Sequence, residues 1–369
     1  MVRRLLYMNG LATLGVVLNH ASAWGFIAMF AWTNRYLPVE VPNYDQLGDL
    51  GYYSLRVVEQ LIIFSIPAFL FVSGFFIAVA TGRNQTNISW KLVRTRIRNL
   101  VIPYLIWSAA ILSMDYLQGQ VYTFSGYLKI ILTGRAEAPF YFVPLLCQLY
   151  ILSPFIVPFA RSRWRPLLIL LLIVQLAVQF IKYPVELGLG IPLFDRLEWL
   201  TAGWIFAGHI FWFVAGIVVG FSLLNLKPWL ARHKWRLMAA AALFFILGIV
   251  EWELILRFSG KDWIGPWETI IDSLYAGAFI FTFLAFDQVS LPAAKQVSEL
   301  GTKSFGVYLV HSPVLEYASR ITYHLMPWLL AYQILFQPML IALGLGIPLI
   351  LMLLIGKSQA RVFYSYLFG

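Results

Sequence analysis

The chain has 369 residues, 60% of them hydrophobic and 12% charged, with a mean hydropathy of +0.77 and a formal net charge of +10. That composition excludes an ordinary soluble protein and predicts an all-α, polytopic membrane bundle of about ten transmembrane helices, one domain over 1–369 with no room for a sizeable soluble unit. The positive charge points to topology rather than to nucleic acid. Of the 27 Lys and Arg, 18 fall in the predicted cytoplasmic segments 3–4, 83–98, 161–165, 227–236, 295–303 and 357–361, and of the 17 acids only Asp287 and Glu299 are placed near cytoplasmic loops.

The predicted spans lie at approximately 5–32, 57–80, 100–117, 140–160, 166–183, 204–224, 237–256, 268–287, 304–325 and 333–355, which puts both termini in the cytoplasm. In the first span, Asn9 and His20 are eleven residues apart, so they share a helical face with Thr13 between them, about 16 Å apart along the axis. Polar groups inside a span are costly and face a protein interior or a wet cavity. Arg3-Arg4, an apolar run and Ala21-Ser22-Ala23 imitate a cleavable signal peptide, but the run continues through Trp24, Phe26, Phe30 and Trp32, which fits a retained span.

An exterior loop is predicted over about 33–56. The second span follows, with Pro67 placed to open the helix and free a carbonyl, and with Ser73-Gly74 as a site of close helix contact. After it comes a basic segment whose Arg94, Arg96 and Arg98 read either as a topogenic cluster or as a cradle for the phosphates of a cytoplasmic donor. The sequons at Asn84 and Asn87 fall in this cytoplasmic loop and are discounted. Residues 122–132 predict a short interfacial helix on the exterior side. Cys147, the single cysteine, reads as a small buried hydrophobe. Trp199, Trp204, Trp263 and Trp267 gather at exterior span ends as an aromatic belt does.

The ninth span opens with Ser304, Tyr308 and His311 on one face, a second polar stripe with a second histidine. His209, His233 and His324 sit at span ends or in loops, where interfacial roles suffice. Glu59, Glu251, Glu253, Asp272 and Glu316 lie at exterior span ends within reach of His20. Arg56 with Glu59, Glu253 with Arg257 and Glu316 with Arg320 have ion-pair spacing, the plainer reading of those acids. No cluster has the ligand spacing of a metal site, and no glycine-rich phosphate loop is present in the sequence.

Four stretches in order carry a family resemblance: Asn9-Gly10-Leu11-Ala12 leading to Leu18-Asn19-His20, Phe69 to Ile77, Arg94 to Tyr104, and Ser304 to Pro313. Phe140 to Leu146 and Phe213 to Gly216 look like weaker middle motifs. Together they resemble the acyltransferase-3 family of multi-pass membrane O-acyltransferases. The resemblance implies transfer of an acyl group, often acetyl, from cytoplasmic acyl-CoA to a hydroxyl of a surface or lipid-linked carbohydrate or glycolipid, in a bacterial plasma membrane and with no bound cofactor. It implies that His20 is the catalytic base or a transient acyl carrier, with Asn9 and Glu59 as orienting candidates, though the residues leave the choice among the acids open. Arg94, Arg96 and Arg98 would hold donor phosphates, and Ser304, Tyr308 and His311 would line or orient the donor path. Asn9 stands where many members carry arginine, and Pro67 near where some carry an acid. A transporter or flippase for a lipid-linked saccharide is the alternative that the buried stripe leaves open.

Overall fold

A computed structural model describes residues 2–82 and 85–369, the side chains of 223 and 224 excepted; Arg83 and the sequon residue Asn84 lie outside the described residues. The helices in chain order are α1 (Val2–Phe26), α2 (Leu50–Ile62), α3 (Ser65–Thr81), α4 (Trp90–Leu117), α5 (Phe124–Thr133), α6 (Phe142–Ser162), α7 (Trp164–Glu186), α8 (Pro192–Leu197), α9 (Ile210–Ser259), α10 (Ile270–Ala285), α11 (Ala294–Thr302), α12 (Ser304–Leu325), α13 (Gln333–Lys357) and α14 (Tyr364–Phe368). No strand occurs among the described residues. Seven helical segments there are long and apolar enough to cross a membrane, and Phe124–Thr133, Ile210–Ser222 and Ile270–Ala285 are shorter apolar helices. The chain is an all-helical integral membrane protein.

The second predicted span starts earlier than expected, at Leu50, and is broken at Ile63-Phe64. Pro67 has no N–H for the carbonyl of Ile63, and at the same break the Ser65 hydroxyl donates to the neighbouring Ile62 carbonyl at 2.6 Å. The basic segment joins the third span without interruption, because α4 begins at Trp90 with Ser89 as its N-cap. The short helix expected near 122–132 forms as α5, capped by Thr123, whose hydroxyl accepts from the Gly126 amide.

The sixth and seventh predicted spans fall in one hydrogen-bonded helix, α9. It cannot be straight. Trp212 and Phe245 would stand about 50 Å apart along a straight axis, yet Trp212 abuts Gly277 and Phe245 lies 5.9 Å from the ring of Tyr275, two residues away on α10. The helix therefore doubles back between Gly220 and Phe245, in the stretch that holds Pro228, and its two legs flank α10. Trp235 packs on Phe286 and Lys227 pairs with Asp287 at 3.1 Å, pinning the bend to the end of α10.

Glycines bring the helices close enough to build this bundle. A Cβ on Gly74 would lie 1.9 Å from the carbonyl oxygen of Phe213, and one on Gly216 would lie 2.0 Å from that of Phe71, so α3 and the first leg of α9 pack backbone to backbone. The expected close contact at Ser73-Gly74 is thus made by Gly74. The same device joins α1 to α11, where Gly10 abuts the carbonyl of Val297 and Gly301 that of Leu6.

Gly74→Ala has a backbone oxygen, not a flexible side chain, in its way and should cost about 1–3 kcal/mol. Thermal unfolding in detergent checks this against Gly346→Ala, which meets nothing within 4 Å and should leave the midpoint unchanged.

Candidate functional site

The close packing of α11 on α1 delivers the start of α12 to Asn9. The Asn9 amide nitrogen donates to the Gly301 carbonyl at 2.7 Å and to the Ser304 hydroxyl at 2.9 Å, so it ties the first span to the α11–α12 junction. Thr13 donates to the carbonyl of Asn9 and is buried, so its hydroxyl is spent on its own helix.

A cavity of about 850 Å³ opens beside this junction. It runs lengthwise along α1 from Asn9 to His20 and along α6 from Tyr150 to Phe142. Arg96, Ser73, Tyr150, Ser304 and Phe305 mark one end, whereas Tyr141, Lys182, Trp204, His209, Trp267 and Glu268 mark the other. The break at Ile63-Phe64 opens its wall, since Ile62, Ile63, Ser65 and Ile66 all line it.

His20 reaches the cavity and makes no hydrogen bond to another described residue. Its ring lies 5.2 Å from that of His311. The Nδ1 of His311 faces the carbonyls of Val307 at 3.0 Å and Tyr308 at 2.9 Å. Carbonyls only accept, so Nδ1 carries the proton and Nε2 presents a lone pair. That Nε2 is buried and has no hydrogen-bond partner among the described residues. His311 is fully buried and lies behind His20, off the cavity wall, and so does not line a donor path. Tyr308 does line the cavity, and its hydroxyl donates to the Pro139 carbonyl at 2.6 Å.

The arginines divide. Arg96 reaches the cavity, while Arg94 and Arg98 are exposed and away from it. Two residues of helix turn a side chain by about 200°, so flanking arginines at that spacing cannot share a face with the one between them.

The acids named from the sequence are engaged elsewhere. Glu59 is clamped by Arg56, which also lies over Trp252, and it is not on the cavity wall, so it does not orient His20. Glu316 pairs with Arg320 at 2.6 Å, but Glu253 accepts the Tyr52 hydroxyl rather than Arg257. Glu251 accepts the Tyr183 hydroxyl, and Asp272 completes a capping box with Thr269 and accepts from Gln60 at 2.9 Å. The acids at the cavity are instead Glu137 and Glu268. Glu137 lies in the loop after α5 and accepts the Ser312 hydroxyl at 2.6 Å. Burial raises its carboxyl above the usual range, with the Ser312 hydrogen bond opposing. No spacing signal in the sequence marks Glu137; Gly134, at φ +71°, folds the loop tightly enough to bring it in.

His209 is a second correction. It lines the cavity with Nδ1 3.4 Å from Glu268, whereas His233 is half-buried against Trp229 and His324 is exposed, both off the cavity. Cys147 is free and half-buried. No group of three or more His, Cys, Asp or Glu is arranged to hold a metal ion among the described residues.

A family model described as an acyltransferase domain matches residues 4–356. The chain belongs to this acyltransferase-3 family. Proteins of Staphylococcus aureus strains MRSA252 and MSSA476, each named "Probable poly-beta-1,6-N-acetyl-D-glucosamine export protein", are 22% identical to it over 84% of this chain and 83% of theirs. No solved structure matches. All four stretches that carried the resemblance touch the cavity, through Asn9 and His20, Ser73, Arg96, and Ser304 with Tyr308.

The polar groups set along this largely apolar space should let water in. In a Cys147→Ser background, Ser73→Cys and Ser304→Cys should react with a small water-soluble thiol reagent, while Ser319→Cys, fully buried and off the cavity, should not.

Proposed function

We propose that this acyltransferase-family protein is an O-acyltransferase, with acetyl as the simplest group, that moves an acyl group from cytoplasmic acyl-CoA to a hydroxyl of a surface or lipid-linked carbohydrate. The observation that carries this reading is one cavity joining Arg96 at one end, His20 on the wall, and a polar, aromatic opposite end. Both termini lie in the cytoplasm in this reading, in a bacterial plasma membrane, which sets Arg96 at the cytoplasmic side where the donor is made.

Arg96 holds a donor phosphate through charge-assisted hydrogen bonds, and the thioester reaches inward toward His20. A ring nitrogen of His20 takes the proton of the acceptor hydroxyl as its oxygen attacks the thioester carbonyl. The carbon–sulfur bond breaks, the thiolate leaves and takes up that proton, and the products are an ester and free CoA. His311, with its tautomer set by two carbonyls, holds the His20 ring from behind. Asn9 keeps α12 seated on α1 so that the two histidines stay in register; it supplies no charge.

An export function is the second reading, favoured by the name that the Staphylococcus proteins carry. That name also makes a short β-1,6-linked N-acetylglucosamine oligomer the first acceptor to try.

Purified protein in lipid, given labelled acetyl-CoA and that oligomer, should transfer label, and His20→Ala should lower the rate by at least about 100-fold. Normal transfer by that variant overturns the role of His20, and movement of the oligomer across the bilayer without labelling favours export. Arg96→Ala should raise the donor KM about tenfold, while the double change Arg94→Ala with Arg98→Ala should leave it within about twofold, as expected for exposed charges.

A further inference from the structure

We propose that the end of the cavity remote from Arg96 is a subsite for one neutral sugar ring, with Trp267 as its apolar platform and Gln179, Lys182, His209 and Glu268 as its hydrogen-bonding rim. This deepens the acyl-transfer reading, on which it rests for the role of that sugar as acceptor.

Three segments far apart in sequence converge there: Gln179 and Lys182 from α7, His209 from the turn before α9, and Trp267 with Glu268 from the approach to α10. Trp267 is held rather than loose. The Tyr183 ring meets it edge-on at 4.9 Å and 85°, and the Lys182 ammonium lies 5.7 Å from its centre. Its indole nitrogen is buried without an acceptor among the described residues. A pyranose presents a face of C–H groups and a rim of hydroxyls, so it needs a flat apolar surface bordered by fixed donors and acceptors.

The rim is fixed by a buried hydroxyl. Ser273 accepts from the Gln179 amide at 2.8 Å and donates to one oxygen of Glu268 at 2.8 Å. The other Glu268 oxygen is left beside His209 at 3.4 Å. Gln175, from the next turn of α7, holds the same assembly by accepting from the Phe211 amide at the start of α9. These bonds leave free capacity on both amide atoms of Gln179 and on Glu268, and Lys182 makes no hydrogen bond or ion pair among the described residues. Donors and acceptors are therefore both on offer, as ring hydroxyls require.

Charge selects the ligand class. Away from Arg96 the charged lining residues are Arg135 and Lys182 against Glu137 and Glu268, so cations and carboxylates balance and this end suits a neutral or N-acylated hexose. A phosphate or a polyuronate would call for an excess of cations, and Arg96 is at the opposite end.

Calorimetry on the full-length protein in lipid nanodiscs tests the proposal, with the N-acetylglucosamine oligomer, maltotriose and a trigalacturonate as probes. The wild type should bind a neutral oligomer, and Trp267→Ala and Lys182→Gln should each weaken that binding about tenfold or more. Trp267→Phe, which keeps a flat ring, should retain most of it. The double change Arg94→Ala with Arg98→Ala, at exposed positions away from the cavity, should bind as the wild type does. Failure of the wild type to bind either neutral probe, preference for the uronate, or unchanged binding by both Trp267→Ala and Lys182→Gln overturns the subsite. Should His20→Ala transfer label normally, the catalytic assignment falls while the binding result still decides the subsite.

Discussion

An imidazole and a carboxamide in the middle of an apolar helix must meet either protein polar groups or water, because lipid offers them nothing. The two solve that requirement differently here. Asn9 spends its amide on the Gly301 carbonyl and the Ser304 hydroxyl and becomes a joint between helices. His20 makes no such bond and faces a cavity, with His311 against its ring. A group that pays the cost of burial without being tied down is available for chemistry, and the rest of the bundle is arranged to keep it so.

Small residues supply that arrangement. Glycines at 10, 74, 216 and 301 let backbones touch, which locks α1 to α11 and α3 to α9. Opposing them, the broken turn at Ile63-Phe64 withdraws a piece of helix from the wall. Tight contact on one side and a defect on the other leave a cavity inside an otherwise closely packed membrane protein.

The polar stripe of the first span, the break imposed by Pro67, the contact at Gly74, the helix before Gly134 and the pairing of Glu59 with Arg56 and of Glu316 with Arg320 were all legible along the chain, because each follows from local spacing or from a single backbone restriction, although the Arg56–Glu59 pair is buried and not interfacial. The family was legible for the same reason, since its motifs are runs of neighbouring residues, and a family match over 4–356 agrees with them. The division of the arginine cluster into one inward and two outward side chains was also implicit in helical geometry, although charge alone made the three look equivalent.

The other half of the site belongs to the tertiary structure. Glu137 reaches the cavity only because its loop folds back on Phe140, and His209, Lys182, Trp267 and Glu268 meet only because α9 doubles back beside α10 and α7 packs across them. Their separations in sequence carry no period that could announce the meeting. His311 shared a helical face with Ser304 and Tyr308, yet the lean of α12 on α1 set it behind His20 instead of on the cavity wall. By itself the sequence determined that this is an apolar helical chain of an acyltransferase family with histidine in its first span, because hydropathy, charge bias and short motifs are local properties. Which acids, arginines and aromatic rings share space with that histidine was decided only by the packing, because contact between distant segments depends on where each helix bends and on how closely its neighbours can approach.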